Sequence, residues 1–574
     1  MVDVTSTVSR VSGSLVELDP FRGVAMHDVV LLGERRLPGE VVAITDRRVT
    51  VQAYEDTGGL GPGASVVPLG APLSARLGPG LLGSVFDGLL RPLSQAGDWL
   101  LPGGSREGDD GRRWQFTPTA TAGARVSAGS EVGTVDDDGP LPLRVLVPPG
   151  VAGAVEQVAA AGAYDADAVV ATVDGVDIPL TARWPVRRPR PYRERLDVAE
   201  GLHTGQRVLD LLYPVARGSS AAVPGGFGTG KTVLLQQIAK WCDADVIVYV
   251  GCGERGNEMA DVVEEMGSLE DPRTGERLSR RTVIIANTSN MPMMAREASI
   301  YTGVTVAEYF RDMGYHVVVI ADSTSRWAEA LREFASRTGA LPAEEGYPAG
   351  LASALAAFYE RAGHVVTAGG RTGSVTIIGA VSPAGGDMTE PVTAHTQRFV
   401  RSVWMLDREL AYARHYPAVA WSGSFSRDAD ALGSWHARQG DPSWARRRER
   451  VGTLLSDADK LSALAELVGV GAMPGAERVV MLAGRLLREG VLQQSALNAN
   501  DAFCSRAKSA ALLDTVLTVI DRCDALVAAG VPAASVEEAD FGDLLRAAQE
   551  TGPDDVQGVQ DHLEAVLARL DRLS

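Results

Sequence analysis

Lysine is nearly absent from this chain. Of its 574 residues 55 are Lys or Arg, yet only Lys231, Lys240, Lys460 and Lys508 are lysine and the other 51 are arginine. Cysteine is as scarce. Cys242, Cys252, Cys504 and Cys523 form no Cys-x-x-Cys pair and have no metal-ligand spacing, which argues against zinc or iron–sulfur sites and for a reducing cytosol. No run of about 18 apolar residues occurs. Met1-Val2-Asp3-Val4-Thr5 is not a basic stretch leading into an apolar core, so the sequence predicts a soluble chain that meets a membrane only through partners. A net positive balance is missing too: a net charge of −18 argues against a general nucleic-acid or anionic-membrane binder, because both need a positive face.

Two basic clusters stand against that balance. Arg183, Arg187, Arg188, Arg190, Arg193 and Arg195 are interleaved with Pro185, Pro189 and Pro191, which prevents a basic helix. They read as a stiff connector whose arginines pair with neighbouring acids rather than as an RNA-binding arm. Arg446-Arg447-Arg448-Glu449-Arg450 reads as a solvated helix face.

What is present is Gly225-Gly226-Phe227-Gly228-Thr229-Gly230-Lys231-Thr232, the spacing Gly-x-x-x-x-Gly-Lys-Thr. Its glycines let backbone N–H groups turn toward a phosphate, the following helix offers its positive end, and the Thr232 hydroxyl is placed to ligate Mg²⁺. Lysine persists at 231 because a compact ammonium fits between β- and γ-phosphates where a planar guanidinium is too broad. Eight residues in a chain with 63 glycines could match by chance, but the context is the required one. A buried strand ends at Pro224, and residues 233–241 have helical apolar spacing.

A chain of this length divides into about three or four domains. Alternating apolar and polar residues with intervening turns, from Thr5 to about Val67, predict a small β-barrel. Residues 110–185 hold further short Gly- and Val-rich strands. A swinging lipoyl-type domain would need a lysine at a hairpin tip and none is there, so the segment reads as a structural β-insertion. From about 196 to 440 apolar strands at 245–250, 282–286, 317–321 and 374–380 alternate with helical stretches, the mark of a mostly parallel α/β sheet. After Asp441 helices take over. In the last, Leu563, Val566, Leu567, Leu570 and Leu573 share one face and Asp561, Glu564, Arg569 and Arg572 the other.

In an open parallel sheet ligands sit beyond the carboxyl ends of the strands. Asp322 ends one apolar run, where a carboxylate beside a P-loop would hold the Mg²⁺ hydration shell. Glu254 follows Gly251-Cys252-Gly253 at the end of another, placed to take a proton from, or orient, the water attacking the γ-phosphorus, with Arg255 turned toward the phosphates. Each alone is an ordinary structural feature; an Asp after a strand and a Glu-Arg pair in a loop are common.

Segments 221–230, 249–259, 286–290, 295–314, 321–333 and 344–348, the linker 184–191 and Phe116-Thr117-Pro118-Thr119 together resemble the catalytic A subunit of V/A-type rotary ATPases, in order and over nearly the whole chain. The resemblance implies a multidomain α/β chain. An N-terminal β-barrel (1–70) is followed by a RecA-like P-loop nucleotide-binding domain (71–109 and 186–440) that carries a β-rich bulge insertion (110–185), and a C-terminal helical domain (441–574) closes the chain. It implies that Lys231 binds the β- and γ-phosphates of ATP or ADP, cradled by Gly225, Gly226, Phe227, Gly228, Thr229, Gly230, Thr232 and Val233, with Phe227 packed in the loop. Thr232 would ligate Mg²⁺ and Asp322 act through its water, Glu254 would be the base and Arg255 touch the terminal phosphate. Tyr416, Gln493, Gln494 and Phe503 would form the adenine pocket. The implied partners are B subunits in an alternating A3B3 hexamer that supplies an arginine finger in trans, a central rotor, a peripheral stalk and a membrane sector that moves protons or sodium. The implied location is cytoplasmic, peripheral to the membrane.

The chain departs from that pattern at Gly226, where Pro or Ala is common, and at Thr229, where eukaryotic relatives have cysteine. It departs again at Leu497 and Asn498, after Gln493-Gln494, and at Ser505 in place of Pro. Secretion-type or Rho-type hexameric ATPases share the core but lack the insertion, and a non-catalytic subunit would be expected to lose Lys231 or Glu254.

Overall fold

A computed structural model describes residues 6–573 apart from 22, 96–110, 138, 272–273 and 340. The extreme N-terminus and the expected junction between nucleotide-binding domain and insertion near 109 lie outside the described residues. The chain divides into two compact units: Met1–Asp197 with Ala244–Val381 and Thr389–Phe399, and Val198–Asp243 with Ser382–Met388 and Val400–Ser574.

The first unit opens with a closed six-stranded barrel, in the order Ser6–Ser12, Leu15–Leu18, Arg48–Ala53, Leu37–Thr45, Asp28–Leu32 and Ser65–Pro72. The alternating residues of the sequence are its two faces: Val8, Val16, Leu18, Val30, Leu32, Val41, Val49 and Val51 fill the interior. Two four-stranded sheets make the insertion. One runs Leu143–Leu146, Glu131–Asp136, Trp114–Pro118 and Gly162–Tyr164, and its Gly133 is required because any side chain there would meet the buried Phe116 ring at 2.2 Å.

The proline-interrupted arginines join the parts of this unit. Arg187 donates to Glu297 at 2.6 and 2.8 Å and to Glu40 of the barrel at 3.2 Å, and Arg190 donates to Asp312 at 2.7 Å. The connector reading holds for these two, which are clamped by acids rather than solvated.

Parallel strands then run in the order Thr372–Val381, His316–Asp322, Val246–Glu254, Thr282–Thr288 and Val85–Phe86. The first four were predicted to within a few residues; the short Val85–Phe86 was not. Helix Met293–Asp312 is buried on nearly every side, so its apolar residues are spread around it instead of forming one stripe. A Cβ on its Gly303 would fall 2.4 Å from Val250, and this close approach fixes the strand whose end carries Glu254.

In the second unit, the fully buried strand Ser220–Pro224 pairs in parallel with Ser402–Val403, which pairs antiparallel with Phe425–Ser426. Helix Lys231–Trp241 follows the glycine loop, and the helices Trp444–Val468, Gly475–Leu487, Arg506–Ala528, Gly542–Glu550 and Val556–Leu570 form the C-terminal bundle. The basic cluster of the first of these is not a uniformly solvated face. Arg447 is buried, donating to Asp514 at 2.6 Å and pairing with Asp441, because it lies on the inward face of the helix while Arg446, one residue earlier, faces out. In the last helix Val566 and Leu570 are buried and Asp561 and Glu564 exposed, as the spacing predicts.

Candidate active site

The glycine loop is built almost wholly from backbone. Gly228 and Gly230 have φ of 79° and 83°, left-handed values that favour glycine, and at Gly230 a Cβ would also come within 3.2 Å of the Tyr416 ring. The buried Thr229 hydroxyl donates to the Gly226 carbonyl at 2.8 Å and closes the loop on itself. Lys231, at the first turn of its helix, donates from Nζ to the Gly225 carbonyl at 2.8 Å and to the Ser382 hydroxyl at 2.6 Å. Both acceptors are neutral, so an arriving phosphate oxygen offers the ammonium a stronger partner. The Thr232 side chain is half-buried beside it.

Phe227 does not pack into the loop as expected. It is 90% exposed while Thr229 is the side chain buried in the loop, and Val233 also faces out. Tyr416, 41% exposed, is the residue expected at the adenine that does border the loop. Gln494 is committed elsewhere: its Nε2 donates to the carbonyls of Gly205 and Asp501 at 2.9 and 2.8 Å, and its Oε1 accepts from the Arg207 N–H at 2.8 Å. Gln493 remains exposed. Phe503 stacks on Trp241 with centroids 5.2 Å apart and meets His203 edge-on. Leu497 is 98% exposed and covers none of them.

The first unit carries a different kind of site. Strand register sets Gly251 opposite Asp322, so Glu254 and Asp322 finish neighbouring parallel strands at the same end. Asp322 is buried and accepts from the Tyr249 hydroxyl at 3.2 Å. Burial raises the Glu254 carboxyl from 4.5 to about 7, helped by the Asp322 charge and by a hydrogen bond and charge from Glu258, against an opposing pull from Arg326. The group therefore titrates near neutrality, as a general base should. Burial pushes the nearby Cys252 thiol up to about 12, which removes it as a nucleophile. Arg255 is exposed at the start of helix Gly256–Ser268, with freedom to reach a ligand.

The nucleotide-binding-domain model of the ATP synthase alpha/beta family matches residues 205–426, and that family's β-barrel and barrel-sandwich models match 8–70 and 107–187. The model for the C-terminal domain of V and A type ATP synthases matches 433–532. The V-type ATP synthase alpha chain of Anaeromyxobacter sp. (strain K) is 49% identical over 99% of this chain and 100% of its own length. An A-type ATP synthase subunit of Methanopyrus kandleri is 46% identical over 94% of this chain and 93% of its own. The chain belongs to the alpha-chain family of V/A-type ATP synthases.

For this V/A-type alpha chain the structure adds a residue that sequence reasoning missed. Arg326, on the first helical turn after Asp322, donates to both carboxylate oxygens of Glu329 at 3.2 and 3.0 Å and supplies the positive charge felt by Glu254. Its side chain comes close because Gly253 has φ of 74° and no Cβ; one there would lie 2.9 Å from the Arg326 Cβ and 3.0 Å from Arg296 Cδ. Four positions beyond a strand-end Asp was the only signal available in the sequence.

Proposed function

We propose that this chain is the catalytic subunit of a rotary V/A-type ATPase or ATP synthase, cleaving or forming ATP in step with proton or sodium movement through a separate membrane sector. The observation that carries the reading is a neutral-pH carboxyl, Glu254, fixed beside Asp322 at a strand end, in a chain of this family that keeps a complete P-loop. On this reading Lys231 exchanges the Gly225 carbonyl and Ser382 hydroxyl for β- and γ-phosphate oxygens, and the amides of 225–233 cradle the chain of phosphates. Arg255 meets the terminal phosphate, while Glu254 accepts the proton of the attacking water.

The donors fit Mg²⁺ held mainly by phosphate and water. A half-buried hydroxyl (Thr232) and one carboxylate (Asp322) are present, and no cluster of three or more His, Cys, Asp or Glu that could hold a metal is found among the described residues. When bound, the ion neutralises charge on the β- and γ-oxygens. Tyr416, Gln493 and Phe503 border the adenine, with Gln494 fixing the turn that presents them.

The remaining requirement is positive charge on the transition state, where an arginine finger raises the rate by about 10³ to 10⁵. We assign it to a B subunit in an alternating A3B3 hexamer, joined to a central rotor and a peripheral stalk; the chain is then peripheral to the membrane, and no described helix is long and apolar enough to cross one. The experiment is to measure ATP turnover of this chain alone and after assembly with B subunits. Slow hydrolysis alone and a large gain on assembly are expected, and full turnover by the isolated chain would remove the shared-site reading.

A further inference from the structure

Arg408 begins the short helix Arg408–Tyr412, capped by the Asp407 carboxylate, which accepts from the Leu410 N–H at 2.8 Å. Its exposed side chain has no hydrogen-bond or ion-pair partner among the described residues, whereas Arg207, Arg281 and Arg361, buried arginines of the same chain, each hold a carboxylate. The guanidinium is nonetheless placed. A Cβ on Gly226 would lie 3.1 Å from Arg408 Nη2, and one on Gly386 would lie 3.4 Å from the same nitrogen. One guanidinium nitrogen therefore lies between the second glycine of the P-loop and the segment Ser382–Met388. The same segment begins with Ser382, whose hydroxyl accepts from Lys231 Nζ at 2.6 Å. One lysine that bonds Ser382 and one arginine whose guanidinium lies near Gly386 thus flank a single short loop beside the phosphate site.

We propose that Arg408 is a positioning residue for the phosphates of the bound nucleotide, and that its uncompensated charge favours a triphosphate over a diphosphate. The inference rests on the nucleotide-binding reading above and deepens it. An arginine with no carboxylate partner has no neighbouring charge to offset its own, and at close range, where water is displaced, it acts more strongly on the ligand with the greater negative charge. Gly226 contributes by leaving the guanidinium uncrowded. A Cβ at 226 would crowd Arg408 Nη2, which would have to shift by a few tenths of an ångström.

The test uses the full chain, titrated calorimetrically with Mg·ADP and with a magnesium complex of a non-hydrolysable ATP analogue at low and moderate salt. For Arg408→Ala the analogue is expected to bind about fivefold more weakly, the size of one ordinary net hydrogen bond, as suits a solvent-screened charge. ADP should weaken about twofold, the gap should narrow with salt, and Arg408→Lys should recover most of the loss. Affinities equal to wild type for both ligands would overturn the proposal. So would an equal loss for both that is insensitive to salt and unrescued by lysine, which would mark Arg408 as a brace for Ser382–Met388. Wild-type chain that binds neither ligand would overturn the nucleotide reading itself, and this inference with it.

Discussion

The glycine loop and the Glu254–Asp322 strand ends address opposite problems. The loop gathers donors: Lys231 rests on a neutral carbonyl and a neutral hydroxyl, Arg408 stands beside Gly226, and the shape comes from left-handed glycines and one internal threonine bond. The strand ends concentrate acids, and Glu254 is held partly protonated near pH 7 by burial and by like charge from Asp322 and Glu258. A site that binds anions needs donors that cost little to leave waiting. A site that moves a proton needs a group whose two protonation states are nearly balanced. Binding and cleavage should therefore be separable by mutation.

The largest effect should come from Glu254→Gln, which keeps the shape and removes the base. Turnover of the assembled complex is expected to fall by about 10³, with nucleotide affinity of the chain unchanged in a direct titration; loss of binding would merge the two regions that the comparison separates. Lys231→Arg should do the reverse. It keeps the charge, but the broad guanidinium misfits the loop, and affinity for Mg·ATP is expected to drop about hundredfold, or about 2.7 kcal/mol. Near-normal binding would mean that charge alone is enough.

A second lysine sharpens the contrast. Lys508 is fully buried and gives its three protons to the carbonyls of Asn500, Ala548 and Thr551 at 2.9, 2.8 and 2.9 Å. A tetrahedral ammonium suits three converging carbonyls as a planar fork does not, and Lys508 stayed lysine in a chain dominated by arginine. Lys508→Met is expected to lower unfolding free energy by about 2 kcal/mol in urea titrations, since it strands buried acceptors, while nucleotide affinity at low temperature stays at the wild-type level.

The smallest expected effect is the pH profile. Since Glu254 must be ionised to act, kcat/KM of the complex should fall about tenfold per unit below about pH 7. Asp322→Asn should move that limb to lower pH, because the Asp322 charge helps to raise Glu254; an unmoved limb would assign the titration to another group. The linkage sign follows from the same shift. A carboxyl raised in the folded state binds its proton more tightly there than in the unfolded chain, so this group's contribution to stability declines between pH 4.5 and about 7. Glu254→Gln should then unfold at higher temperature than wild type at pH 8.

Much of this was legible in the sequence because it depends on neighbours along the chain. Apolar runs at 245–250 and 317–321 became the strands Val246–Glu254 and His316–Asp322, and the carboxylates at their ends could be read off directly. The barrel announced itself by alternation. Phe227, Gln494 and Arg326 could not be placed that way. Thr229 turned inward while Phe227 stayed in solvent, three backbone partners claimed Gln494, and a missing Cβ at Gly253 let Arg326 approach the site.

The amino-acid order by itself determined the phosphate loop, the strand-end acids and the succession of barrel, insertion, sheet and bundle, since each follows from local propensity and periodicity. Only the tertiary structure decided which polar groups stay available to a ligand and at what pH Glu254 releases its proton. Desolvation and hydrogen-bond satisfaction are set by groups distant in the chain and adjacent in space.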